Sequence, residues 1–446
     1  MVDAAEICES TLGLVGDGAE ALVTATVGTS SLTRFANSRI HQNVTEDVAL
    51  VALTLAVESR LARVTSSRTG PDDLAALVER AAAAARLRPA DPDFPGLAPP
   101  APVSPVDHWD DGTAGATPDQ RAAVVAAFVE AGGEFEAAGY CMSRATEQVL
   151  ASSTGQRAAG RSSRAQVDGI HRALVGGDHP ADGYAQATSV RLADLDGAAV
   201  GARAAAKAGS GLDPISLDPG SYEVVLEPKA VAAALLYPAY LGFCGKSHAE
   251  GISFVRLGEL QWDQAVDIWD DALDARALGR GYDVEGTPKA RLDIVRAGVS
   301  AGLTHDRRSA HLAGVDSTGH SNGYDAQGGT PSNLFLGGGD QSPEALVGAV
   351  ERGLLVTDLW YNRILDPKTQ VVTGLTRNGL YLIEDGRITS PVQNLRYTQS
   401  IVAGFGPGKV LGVGNDAQLV GGEGGDVMHV PSVRLAGWSF TGNAQG

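Results

Sequence analysis

The stretch LLYPAYLGFCGKSHAEG, residues 235–251, begins like a buried helix and ends on Cys244, His248 and Glu250. A thiolate, an imidazole and a carboxylate are the atom types that a zinc ion takes from protein, and a thiol beside an imidazole is also a nucleophile beside its base. Their spacing decides less than their chemistry. On a helix, residues 244 and 248 share a face and 250 turns away; on a strand all three share a face, yet Gly242, Gly245 and Gly251 suit neither element. A plainer reading stands beside both: Cys244 as a packed thiol, His248 and Glu250 as surface groups on a loop.

Three other stretches carry suggestive residues. GHSNG, Gly319–Gly323, has the Gly-x-Ser-x-Gly form of a hydrolase elbow with Ser321 as nucleophile, but that elbow needs a helix directly after it, and YDAQGGTPSN does not open one. GFGPGKVLGVGND, from Gly404, looks like a phosphate-binding loop, but Lys409 is followed by Val410 instead of Ser or Thr. His305, His311 and His320 are spaced by six and nine residues, so no pair has the (i, i+4) spacing of a helical metal motif. They read as polar groups lining a strand-rich cleft, with room for one functional His among them.

The chain that must position these groups has 446 residues, which suggests two domains. The break GSGLDPISLDPGSY places the boundary near Pro219, giving an N-terminal unit over 1–218 and a C-terminal unit over 219–446. Acidic residues number 53 against 35 basic ones, a formal charge of −18, which argues against nucleic acid and anionic lipid as partners and leaves peptides, proteins and small molecules. The opening MVDAAEICES is acidic where a secretory signal is basic, and no apolar run approaches the ~20 residues of a membrane span, so a cytoplasmic protein is expected. Cys8, Cys141 and Cys244 are an odd set at wide spacings and read as free thiols.

Four β-rich segments between Ala21 and Ser66 read as a strand meander, and DDLAALVERAAAAARL as an amphipathic helix after it. A Pro-rich connector covers 88–105; Thr117, Pro118 and Gln120 form a capping box that starts the next helix. A hairpin around GQRAAG and a further helix complete the first half. The second half opens with the strand YEVVLEP and the helix AVAAALLYPAYLG. It continues in short strands and glycine loops, with one helix from Ser342 that the glycine at 353 would close. The expected class is α/β in the broad sense, α+β in arrangement: an N-terminal antiparallel sheet with helices, then a strand-rich C-terminal domain with few.

Taken together, LTRFANSRIHQNVTED, DSTGH, PSNLFLGGGDQSPEALVGAVERGLLVTDLW and GLYLIEDGRITSPVQNLRYTQS resemble the TldD/PmbA family over nearly the whole chain, in order and at matching spacing. That family contains TldD-type zinc metallopeptidases, whose metal is held by His-Glu-x-x-x-His after an apolar pair, and PmbA-type (TldE) subunits that lack the motif and pair with them. With Leu235 and Leu236 in register as the apolar pair, Tyr237, Pro238 and Gly242 occupy the His, Glu and His positions. Proline and glycine offer no donor, and Pro238 would disturb the helix that sets ligand spacing.

The resemblance therefore implies an emptied metal frame in a TldE-like subunit with no catalytic residues and no cofactor of its own, the zinc lying in its partner. Implied partners are a TldD-type catalytic subunit, or a second copy of this chain, and unfolded or short peptides that add a strand to a sheet edge. His320, Asn322 and Asn333 are assigned to the peptide cleft. Two alternatives stay open: an active metallopeptidase with a relocated site that uses Cys244, His248 and Glu250, or the later His305, His311 and His320, and a stand-alone homodimeric peptide-binding protein.

Overall fold

A computed structural model describes residues 3–173, 181–323, 328–421 and 427–443. The first half is one antiparallel sheet with helices packed on it. Helix α1 (Ala4–Gly13) leads into strands β1 (Glu20–Ala36), β2 (Arg39–Val57) and β3 (Arg60–Ser66). Next come α2 (Pro71–Leu87), α3 (Asp111–Ala114) and α4 (Pro118–Ala131), then β4 (Glu136–Ser152), β5 (Arg157–Ala173), β6 (Ala181–Ser189) and α5 (Gly197–Ser210). The strand order is β3-β2-β1-β4-β5-β6, so β3 is an edge.

Two-residue turns set the meander. Asn37 and Ser38, then Glu58 and Ser59, all take φ between 48 and 59°, the twist that type I′ hairpins require. The two segments expected before residue 37 are one continuous strand. It passes through Gly28, where a Cβ would stand 2.1 Å from the Ala145 carbonyl of β4, so only glycine lets the strands meet there. The Thr117–Gln120 capping box forms as expected, and α2 buries Leu74, Leu77, Ala81 and Ala85.

The second half opens on β7 (Gly220–Leu226), followed by α6 (Pro228–Tyr237) and the short α7 (Gly245–Ala249). Then come β8 (Ile268–Asp270), β9 (Leu292–Arg296), β10 (Val299–Ser300), α8 (Arg307–Ala313) and β11 (Asn333–Leu336). β8 to β11 join Gln418–Gly421 and Val427–Val430 in a six-stranded sheet, while β7 is central in a nine-stranded one. One apolar core draws on both sheets and on α6, including Val231, Leu235, Phe243, Trp262, Leu334, Leu354 and Trp438. No described helix is long and apolar enough to cross a membrane.

One sequence expectation fails here for a packing reason. The helix after Ser342 ends at Gly348, because Gly353 belongs to the strand Arg352–Val356, which lies parallel to β7. A Cβ at 353 would sit 2.5 Å from the Glu223 carbonyl, so this glycine permits a close strand approach and does not cap a helix. The halves are stitched by polar contacts: Tyr282 donates to the Gln148 carbonyl (2.9 Å), Gln156 to that of Gly286 (2.7 Å), and the His108 ring sits 3.0 Å from that of Asp274.

Candidate functional site

The site begins where α6 meets Pro238. Proline has no N–H for the helical ladder and its ring crowds the carbonyl one turn back, so the backbone widens into a π-turn over Pro238–Gly242, closed by Phe243 N donating to Pro238 O at 2.8 Å. Tyr237 points its hydroxyl at the Asn362 carbonyl, 2.9 Å away. At Gly242 a Cβ would stand 2.3 Å from the Phe254 ring, so the space a ligand side chain would need is filled by an aromatic. A zinc ion does not fit these positions: the Tyr237 oxygen is engaged elsewhere, Pro238 has no donor, and 242 has no room for one.

The alternative ligands do not converge either. Cys244 is fully buried, its thiol pushed up by burial, on a backbone that crosses Thr304: Gly245 N donates to Thr304 O and Thr304 N to Phe243 O, both at 2.9 Å. His248 and Glu250 are exposed, and Glu250 pairs with Lys246 at 3.0 Å across one helical turn. Among the described residues, no three His, Cys, Asp or Glu side chains come together as a metal site.

Of the residues assigned to the cleft, His320 and Asn333 belong to an interior network and Asn322 lies half-buried beside it. His320 is 1% exposed, with Nε2 2.9 Å from Asp270 Oδ1 and Nδ1 2.9 Å from the Thr318 hydroxyl. Asp270 Oδ2 accepts from the backbone of Ser332 (2.7 Å) and Asn333 (2.6 Å). Burial alone would raise this carboxyl, but the His320 ring and the charge of Lys289 hold it down to about 2. Asn333 is buried and its Oδ1 accepts from Leu278 N at 2.8 Å; Asn322, half-buried, donates to the Thr330 hydroxyl at 2.9 Å. His305 lies under α7, where a Cβ on Gly245 would touch its ring, and burial favours its neutral form; His311 is exposed. Ser321 sits in an irregular loop and Lys409 precedes the strand Val410–Val413, so neither has the helix its motif needs. Residues 324–327 lie outside the described residues.

Sequence reading overlooked an acid pair nearby. Asp283 is buried and accepts from the backbone of Thr287 (2.9 Å), Glu285 (3.0 Å) and Ser321 (2.9 Å). Glu285 accepts from Arg307 N at 3.0 Å; burial, then the neighbouring Asp283, push its carboxyl up to about 8. The only local signal was Asp-x-Glu between glycines. Glu285 faces a cleft of about 650 Å³ bounded by β3, the connector around Pro89–Leu97, α7 and α8. This arrangement can hold and orient a ligand; it brings together neither a metal set nor an activated nucleophile.

A family profile described as PmbA/TldA metallopeptidase C-terminal domain matches residues 219–442. No curated protein matches the chain. Among solved structures, TldE from Thermococcus kodakarensis superposes with a TM-score of 0.85 at 18% identity, over 99% of this chain and 100% of that one. A Thermotoga maritima protein described as a candidate modulator of a DNA gyrase gives 0.86 at 17% identity, over 98% and 100%. A Bacteroides thetaiotaomicron protein of similar description gives 0.84 at 20%, over 98% of each chain. At these identities the likeness speaks for the fold alone.

Proposed function

The chain belongs to the TldD/PmbA family, and on that premise we propose that it is a non-catalytic, TldE-like subunit. It pairs with a TldD-type zinc metallopeptidase and helps to hold unfolded or short peptides for proteolysis. The observation that carries this reading is the turn after α6, where a π-turn runs over Pro238–Gly242 and Phe254 fills the space beside Gly242; in the register the resemblance implies, Tyr237, Pro238 and Gly242 take the places of the family's ligands and base. Metal chemistry on this reading belongs to the partner. A relocated site is disfavoured because Cys244 turns inward while His248 and Glu250 face solvent. Three buried free thiols agree with a reducing, cytoplasmic setting.

The test is reconstitution with a TldD-type subunit from the same source. The isolated chain should leave an unstructured peptide intact. The mixture should elute as one complex and hydrolyse the peptide faster than the TldD-type subunit alone. Hydrolysis by the isolated chain, abolished by a chelator, would refute the assignment.

A further inference from the structure

We propose that the corner where the loop between β8 and β9 lies on the N-terminal sheet is an anion site, in which the guanidinium groups of Arg144 and Arg280 hold the free C-terminal carboxylate of a short peptide. The inference rests on the peptide-holding role above and adds which end of the peptide is held.

The sheet places one arginine and the loop brings the other. Cross-strand register sets Ser30 of β1 beside Arg144 of β4, and Thr146 of β4 beside Ser162 of β5. Residues 144 and 146 are two apart, so their side chains leave the same face of the strand. Arg280 comes down on that face from the loop: its Nη2 donates to the Thr146 hydroxyl at 2.9 Å and its Nε to the Gly160 carbonyl at 3.3 Å. Gly160 leaves the room for it, since a Cβ there would stand 3.3 Å from the Arg280 side chain. The next residue, Gly281, lies so close to the Ser104 carbonyl that a Cβ would come within 2.5 Å of it, and Tyr282 is tied to Gln148, so the loop holds this guanidinium in place. Its Nη1 has no partner among the described residues and is not sealed from solvent. The half-buried hydroxyls of Ser30 and Ser162 are likewise unbonded among the described residues.

Charge decides what the corner takes. Both hydrogen-bond partners of Arg280 are neutral oxygens, and neither Arg280 nor Arg144 pairs with a carboxylate among the described residues, in a chain that carries 53 acids. Burial lowers the proton affinity of the Arg280 guanidinium and the charge of Arg144 lowers it further, against the opposing effect of Tyr282. Arg164, opposite Arg144 on β5, donates to Gln166 at 2.6 Å and leaves a ligand to the other two. In the same cross-strand row the acid is Glu46 of β2, two strands from Arg144 and so about 10 Å away. Two like charges, one of them half-buried, cost stability until an anion joins them. A carboxylate matches the planar forks of the guanidinium groups and accepts from the two hydroxyls as well. β1 and β4 lie inside the sheet with their backbones paired on both sides, so they offer none of the free N–H groups that cradle a phosphate. A role in holding peptides of many sequences calls for a group that every such peptide carries, and the free C-terminus is that anion.

The experiment uses the full isolated chain and a short peptide of uncharged residues with a fluorophore on its N-terminus, read by anisotropy. The free-acid form should bind about tenfold more tightly than the C-terminal amide. A third peptide, amidated but with one internal Glu, should bind like the amide. Arg144→Gln, on an exposed side chain, should bring the free acid down to the affinity of the amide, and Arg280→Gln should do the same. Arg144→Gln should also leave the thermal melt of the free chain unchanged or raised, because it removes a repulsion. The proposal is overturned by no binding of the free acid, by equal binding of acid and amide, by an internal-Glu peptide that binds as tightly as the acid, or by a preference that survives either substitution. Inorganic phosphate displacing the acid peptide at lower concentration than acetate would overturn the choice of a carboxylate, and a clearly lower melt for Arg144→Gln would show that this arginine already has its counter-charge. If the free-acid preference fails while reconstituted hydrolysis is still stimulated, only the anion site falls; if the preference holds without stimulation, the site stands and the subunit assignment falls instead.

Discussion

The turn after α6 and the network around Asp270 both contain residues of the kinds that catalyse reactions, and they arrange them in opposite ways. Around the turn the groups are scattered: Cys244 points inward, His248 outward, and Glu250 along the surface to Lys246. Around Asp270 they converge, with His320, Ser332 and Asn333 all bonded to one carboxylate, but the carboxylate and the ring are buried and already bonded to one another. Chemistry requires both convergence and access, and here each region has at most one of them. The cleft beside β3 has access, and its groups suit binding.

This contrast can be broken or sharpened by substitution. The largest effect is expected at Asp270. Asp270→Ala leaves His320 and two backbone N–H groups without their acceptor, and should cost about 3–5 kcal/mol in denaturant unfolding. Because the folded carboxyl is held at about 2, below its ordinary 3.8, its contribution is present above 3.8 and disappears as pH falls through about 2. A wild-type-like melt for this variant would remove the network's structural role.

Gly242→His comes next. It returns one family ligand type but drives a side chain into Phe254, so a loss of about 1–3 kcal/mol without any gain in zinc is expected from thermal melts and metal analysis. A stable variant with new zinc would show that the frame is intact and merely lacks ligands.

Glu285→Gln should change the pH profile more than the stability itself. A carboxyl raised to about 8 from 4.5 binds its proton more tightly folded than unfolded, so the native protein loses stability as pH rises between those values. The amide should flatten that slope, and an unchanged slope would contradict the assignment. The smallest effect belongs to His248→Ala: exposed, and with no side-chain hydrogen bond or ion pair among the described residues, it should shift unfolding by no more than about 0.5 kcal/mol.

Local rules carried much of the fold into view. The Thr117 capping box, the hairpin joining β4 to β5 and the break that precedes β7 are written in neighbouring residues. The disturbance at Pro238 was legible for the same reason, since proline acts on the turn immediately before it. Gly353 misled because its reason lies across the sheet, at Glu223. The Asp270 network was invisible for a like cause: His320 is 50 residues away along the chain and Ser332 is 62, so no window of sequence shows that one carboxylate serves them both. Glu285 was missed because its chemistry comes from burial and from Asp283, and burial is a property of the folded chain.

The central claim, that this chain carries no metal of its own, is tested most directly by elemental mass spectrometry of protein purified without chelator or added zinc. The account predicts less than about a tenth of an equivalent per chain. About one equivalent of zinc, lost when Cys244 or His248 is replaced by Ala, would contradict it and make this chain a peptidase in its own right.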